Sequence, residues 1–232
     1  MTRRIGFAIV VLTAAAAAIG PWLVPYDPSA QDLARRLVGP TWSHPLGLDE
    51  LGRDMLARLL VGARISLLVG ISVVSISATV GVVAGSLAGY AGGWADTLLG
   101  RFMDILLAFP GILLAIALVA VLGPSLVNVV LALTSIGWVS YARLVRGQVL
   151  KVRELEYVQA ARAIGAAPPR ILMTHIVPAT LTAVSVQATL GMAGAIIAEA
   201  SLSFLGLGVQ PPRPAGGRCS MPADRTCSMR RI

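Results

Sequence analysis

From Ser66 to Tyr90 the chain carries no charged side chain. A run of that length has few places to go. A helix crossing about 30 Å of hydrocarbon needs roughly 20 apolar residues, and this stretch meets the requirement. Ile5 to Val24, Ile105 to Leu122, Leu126 to Tyr141, and Ala179 to beyond Ile197 are also free of charge. Only 13% of the chain is charged and 56% is hydrophobic, whereas a soluble domain carries about 25% charged residues. The expected class is all-α, a polytopic membrane protein with five visible spans. Gly70, Gly81, Gly85 and Gly89 in the Ser66–Tyr90 run are expected to let a neighbouring helix approach closely.

The first run follows Arg3 and Arg4, and Ala14 to Ala18 offers small residues like those at a signal cleavage site. The run is long and the remaining chain is also membrane-embedded, so a retained first helix is expected. Tyr26 to Arg64 is a polar interval. Within it Leu48, Leu51, Met55, Leu59 and Ala63 follow helical spacing, with Asp49 as the expected N-cap of an amphipathic helix. Arg101 and Asp104, three apart at the entry to Ile105–Leu122, are expected to pair on one helix face.

The net charge is +8, yet the basic residues cluster at span flanks and do not form a continuous phosphate-binding stripe. Nucleic acid is therefore not an expected partner. With Arg3 and Arg4 inside, four crossings return the chain to the cytoplasm before Arg143. The next interval holds Arg143, Arg146, Lys151, Arg153, Arg162 and Arg170 against Glu154 and Glu156. An excess of basic residues marks a cytoplasmic loop. The N-terminus is thus expected inside and Tyr26–Arg64 outside. The outer interval carries five arginines of its own, matched by acidic neighbours.

That inner loop reads as a short helix, a break and a second helix. Gly165 suits the left-handed position that ends a helix, and Pro168 or Pro169 the first turn of the next. Ala160 and Ala161 offer a small-faced surface that another protein can approach. A short rigid element between two spans can transmit a push to the membrane helices.

The spacing Ala160-Ala161, three residues, Gly165, then twelve residues to Pro178 resembles the EAA loop of ABC importer permeases. Gln159 stands where that family usually has Glu, and His175 where it usually has Ile. The resemblance narrows with His44-Pro45-Leu46-Gly47-Leu48-Asp49, Gly62-Ala63-Arg64-Ile65-Ser66-Leu67, Tyr141-Ala142-Arg143-Leu144-Val145-Arg146 and Glu199-Ala200-Ser201-Leu202-Ser203-Phe204-Leu205-Gly206. These look like the C-type permease of the dipeptide, oligopeptide and nickel importers, over roughly Arg3 to Pro212.

The resemblance implies a type I ABC importer transmembrane fold, located in the bacterial cytoplasmic (inner) membrane. Residues 1–25 would be an N-terminal transmembrane helix and 26–64 an external loop. Residues 65–208 would be the permease core, with its coupling loop at 143–178. The implied coupling residues are Glu156, Tyr157, Gln159, Ala160, Ala161, Arg162, Gly165, Arg170, His175 and Pro178. The implied partners are a second permease subunit, cytoplasmic ATPase subunits and an extracytoplasmic substrate-binding protein, within membrane lipid. The mechanism would be alternating access, moving peptides or, as the alternative, nickel complexes.

No Gly-rich loop ending in Gly-Lys-Ser/Thr is present, and Lys151 is the only lysine, so this chain lacks a P-loop. ATP and Mg would be held by the partner ATPase, with no cofactor on this chain and no enzyme activity of its own. His44 and His175 fall on opposite sides of the membrane, which disfavours a catalytic triad or a histidine metal cluster. A self-contained secondary transporter would need ionisable residues near the midplane. The candidates for a pore or gate are Asp104, at the inner end of its span, and Glu199. The latter lies about 30 Å along a helix starting near Ala179, at the outer interface.

The tail, 209–232, is polar, holds both cysteines (Cys219 and Cys227) and contains no sixth span. One lysine against eighteen arginines suggests a GC-rich gene, in which a shifted frame stays open and reads Arg, Ala and Pro. Two readings of the tail stand side by side: a frameshift near Pro212 that gives an incomplete permease, or a genuine, divergent tail. Resequencing the gene decides between them: a single intact frame without a family-like continuation in a neighbouring frame overturns the frameshift.

Overall fold

The computed structural model describes residues 2–208; the expectations for the tail lie outside them. The first helix, α1 (Thr2–Leu23), carries the first apolar run. The polar interval that follows is organised by carboxylates. Asp32 caps a 3-10 turn at Leu33–Arg35 by accepting from the Ala34 N–H. Asp49 accepts from the backbone N–H groups of Leu51 and Arg53 and pairs with the guanidinium groups of Arg53 and Arg58. Partial burial works against the Asp49 charge, but those backbone donors and the Arg53 guanidinium hold its carboxyl down at about 2. Asp54 is buried, accepts from the Ala57 N–H at 2.7 Å, and meets Nδ1 of the buried His44 at 2.8 Å.

The amphipathic helix expected from Leu48, capped by Asp49, does not form as a separate element. Leu48 pairs with Asp54 across a β-bridge, and α2 (Met55–Ala91) begins only after it, with Asp54 as N-cap. The chain turns at Gly47 and Gly52, at φ 77° and 70°. A side chain on Gly52 would run into the Asp32 carbonyl. The loop is thus folded back on itself, and Asp49 is committed to its arginines.

α2 has 37 residues, about 55 Å at ~1.5 Å per residue, longer than the hydrocarbon core. It packs most broadly on α5 (Leu126–Val152) and next on α8 (Val177–Phe204). The glycines expected to allow close approach do so. An added Cβ at Gly85 would sit 2.5 Å from the Ala142 carbonyl oxygen, and one at Gly81 would sit 2.9 Å from the Ala142 nitrogen. Gly89 meets Val149 in the same seam, while Gly70 faces Met192 and Ile196 of α8. Two buried clusters result. One joins Val69 and Val73 of α2 to Val129, Ala132, Ala195 and Leu202, and the other joins Val74 to Tyr141, Val145, Val149 and Val184.

The expected straight span Ile105–Leu122 is broken. α3 (Gly93–Ala108) and α4 (Gly111–Leu122) meet at 82°. Pro110 has no N–H to donate, and a residue before proline is pushed out of the α region; Phe109 is extended at φ −92°, ψ 135°. Asp104 does not pair with Arg101 but with Arg143 of α5. α5 itself continues past Tyr141 to Val152, so Arg143 and Arg146 lie on a helix and not in a loop. Among the described residues, α2, α5 and Pro168–Phe204 are each long and apolar enough to cross a membrane, with the bent α3–α4 pair as a fourth candidate.

The seam predicts an asymmetry between glycines of one helix. Gly85→Ala forces a Cβ onto the α5 backbone and should lower stability in detergent by about 1–3 kcal/mol, the range for overpacking. Gly62→Ala, with nothing within 4 Å, should be neutral or gain up to about 1 kcal/mol of helix propensity. Thermal unfolding followed by size-exclusion chromatography checks both.

Candidate functional site

The loop after α5 folds as a short helix, α6 (Glu156–Ala163), a reversal, and α7 (Pro168–Ile171). The reversal is a Schellman closure. Gly165 sits at φ 82°. Its N–H donates to the Arg162 carbonyl at 3.0 Å, and the Ala166 N–H donates to the Ala161 carbonyl at 3.1 Å. Ala167 is extended, as a residue before proline should be, and Pro168 opens α7 where its missing N–H costs nothing. Glu156 in the first turn and Arg162 in the last both complement the dipole of α6.

α6 has two unlike faces. Val158 and Ala161 are buried in the cluster formed by Val145, Val149 and Val152 of α5, and Ile171 and Ile176 join them. Ala161 therefore faces its own subunit, and the small surface expected of the Ala160–Ala161 pair is carried by Ala160 alone. Tyr157 and Ile164 share the exposed face with Ala160, and Met173 is exposed beyond the reversal. Ile164 is 86% exposed, and with Tyr157 and Ala160 it makes the outer face of this turn apolar.

Polar contacts fasten α6 and the end of α5 to the Gly89–Tyr90 end of α2. The Arg162 guanidinium stands 5.2 Å from the centroid of the Tyr90 ring. Arg153 Nη1 donates to the Gly89 carbonyl at 3.2 Å, capping the last turn of α2. Gln159 Nε2 donates to the Glu154 carbonyl at 3.1 Å, a bond that a carboxylate at this position could not make. Edge-on to Tyr157, 6.0 Å between centroids, lies His175. His175 belongs to a π turn, Leu172–Ile176, that links α7 to α8. Pro178 follows in the first turn of α8, and Arg170 is exposed on α7. The wider turn leaves room for a proline that cannot donate to the preceding turn. Sequence reasoning missed this turn; Pro178 inside a continuous helical pattern was its signal.

Residues 81–219 match the family described as binding-protein-dependent transport system inner membrane component, and residues 3–40 match the N-terminal TM domain of oligopeptide transport permease C. The chain belongs to this family of inner membrane components. Its membrane domain therefore has the type I ABC importer fold, and the protein is a multi-pass membrane protein and a transport component. It is 44% identical to the di/tripeptide transport system permease protein DppC of Pseudomonas aeruginosa, over 91% of this chain and 72% of that one. It is 46% identical to the glutathione transport system permease protein GsiD of Pectobacterium atrosepticum, over 90% of this chain and 69% of the relative. It is also 44% identical to the probable D,D-dipeptide transport system permease protein DdpC of Escherichia coli, over 90% and 70%. The family match runs to residue 219, so the likeness ends later than the Pro212 boundary read from the motifs.

The two candidate pore or gate residues of this permease stand on different helices, Asp104 on α3 and Glu199 on α8. Asp104 is exposed and ion-paired to Arg143. Glu199 is buried, its two oxygens accepting from Ser66 Oγ at 2.9 Å and Ser203 Oγ at 2.7 Å. It ties α8 to the opening turns of α2, at the end of the bundle away from α6. A cavity of about 250 Å³ lies between α2, α4, α5 and α8, with Tyr141 and Gln187 in its wall; neither Asp104 nor Glu199 lines it.

The reversal at Gly165 yields a local prediction. An L side chain in the left-handed region costs about 1–2 kcal/mol, so Gly165→Ala should loosen the closure while leaving the span packing alone. Amide exchange at Ala166 should quicken by roughly five- to thirtyfold, since 1.4 kcal/mol is tenfold, with exchange in α5 unchanged.

Proposed function

We propose that this chain is the peptide-conducting permease subunit of an ATP-driven importer, and that α6 is the element on which a cytoplasmic ATPase docks. The observation that carries the reading is the split character of α6. One face, Val158 and Ala161, is built into the transmembrane core, while the other, Tyr157, Ala160 and Ile164, is apolar and uncovered. A helix of this kind links a soluble partner to the membrane bundle without a flexible tether between them.

The peptide substrate rests on relatives named for di/tripeptides, D,D-dipeptides and glutathione. The basic residues gathered around α6 argue for a cytoplasmic location of this end by the positive-inside rule, and hence for a cytoplasmic N-terminus. In this reading ATP and Mg belong to the ATPase subunits. A second permease completes the translocation path, and a substrate-binding protein delivers the peptide from outside. Closure of the ATPase pair moves α6, and the path opens alternately to either side. Glu156, Gln159, Arg162, Arg170 and His175 hold or flank the docking face, while Gly165 and Pro178 set its angle.

The test is disulfide trapping in the assembled importer. Ala160→Cys should cross-link to a cysteine in the ATPase surface groove, and the yield should change when ATP is added. Ala161→Cys, facing inward, should not cross-link. Gly165→Val should abolish ATP-driven peptide uptake while leaving the subunit in the membrane. Equal trapping at both alanines, or unimpaired uptake by Gly165→Val, overturns the assignment.

A further inference from the structure

At the same end of the bundle as α6, α3 and α5 enclose an open cavity of about 510 Å³. Asp96, Thr97, Arg101, Asp104, Arg143 and Arg146 line it. Both carboxylates are already matched. Arg146 grips Asp96 with two parallel bonds, Nη2 to Oδ2 at 2.7 Å and Nε to Oδ1, and Arg143 pairs with Asp104. Arg101 is the surplus cation, with no ion-pair partner among the described residues. Three arginines against two aspartates leave the wall with one net positive charge, directed at whatever occupies the space.

The outer side of α3 supplies the second observation. Trp94, Leu98, Phe102 and Ile105 recur at spacings of four, four and three, and all are exposed. They form an apolar strip along the helix that carries Arg101, and Phe102 stacks on Trp138 of α5 with centroids 6.1 Å apart. Arg146 lies six residues before the end of α5 at Val152, about 9 Å at ~1.5 Å per residue. The cavity thus opens near one end of the spanning helices, at the depth where headgroups sit.

We propose that this cavity binds the phosphate headgroup of an anionic phospholipid, with Arg101 meeting the phosphodiester oxygens and the acyl chains lying along the Trp94–Ile105 strip. Basic pockets between transmembrane helices on the cytoplasmic side hold such headgroups, and a guanidinium suits phosphate geometry. A peptide carboxylate or free phosphate would satisfy the charge but would leave the apolar strip without a counterpart. The lipid clamps α3 against α5, next to the helix end from which α6 departs.

The test uses the assembled importer in detergent, without ATP or peptide, so its outcome is independent of the docking assignment. Dioleoyl phosphatidylglycerol or dioleoyl phosphatidylcholine is added, and the lipid retained on the permease is counted by native mass spectrometry. Phosphatidylglycerol should be retained and phosphatidylcholine not. Arg101→Gln should retain about fivefold less phosphatidylglycerol, the effect expected for one basic residue near an anionic surface, and Arg101→Lys should keep most of it. Arg101 is exposed, and an unchanged helical circular dichroism spectrum confirms that each variant is folded. Equal retention by Arg101→Gln overturns the proposal. Displacement of the lipid by inorganic phosphate alone, or by a dipeptide alone, also overturns it, in favour of a free anion or of the transported substrate.

Discussion

The close crossing of α2 and α5 is the contact on which the rest of the molecule depends. With no hydrophobic drive between helices in lipid, association rests on van der Waals fit and backbone proximity. Gly81, Gly85 and Gly89 remove the side chains that would hold the two backbones apart, and Tyr141, Ala142 and Val149 fill the space. Everything beyond the seam is placed by it. α8 lies across α2 through Gly70 and against α5 through Tyr141, whose hydroxyl is directed at the Gln187 carbonyl. The C-terminal end of α5 then carries Val149 and Val152 to the position where Val158 and Ala161 of α6 dock.

What could be read from the residues in advance was whatever is decided locally. The Schellman closure at Gly165 and the start of α7 at Pro168 involve residues within a few positions of each other, and both stand as expected. The glycine faces of α2 follow from helical periodicity alone. Pro110 was equally local, yet a hydropathy reading ran straight through it. Apolar content reports what a segment dissolves in, not whether its backbone is continuous. The 82° break between α3 and α4 is a consequence of one missing N–H and one restricted neighbour.

Choices between similar residues could not be settled in this way. Asp49 and Asp54 are both plausible caps for α2 by type and position. The outcome turns on Arg53 and Arg58 claiming Asp49, and on Gly52 pressing against the Asp32 backbone. Asp104 had Arg101 three residues away, and paired with Arg143, thirty-nine positions along the chain. Spacing of three on a helix permits a contact worth a few tenths of a kcal/mol. It does not compete with a neighbouring helix that presents a guanidinium directly. Ala160 and Ala161 are adjacent and identical, and only the docking of α6 on α5 distinguishes the inward one from the outward one.

This arrangement also determines how motion can pass through the subunit. Packed interiors resist compression and tend to shift between discrete arrangements. A push on Ala160 and Tyr157 therefore reaches α5 through Val158 and Ala161 with little slack. The same α6 is held to the end of α2 by Arg162 on Tyr90, and Arg153 ties the end of α5 to the Gly89 carbonyl. α2 and α5 are thus driven together, as the seam between them requires. The route to α8 differs, because it passes through the π turn at Leu172–Ile176 and the proline after it. A π turn and a proline are both places where helices kink. At its far end α8 is tied to the opening of α2 by Glu199 and Ser66. Under the proposed docking on α6, a displacement entering there would carry α2 and α5 together, while α8, joined through the π turn at one end and held by Glu199 at the other, would change its angle against them. In that proposal, such a rotation is what would open and close a path beside α8.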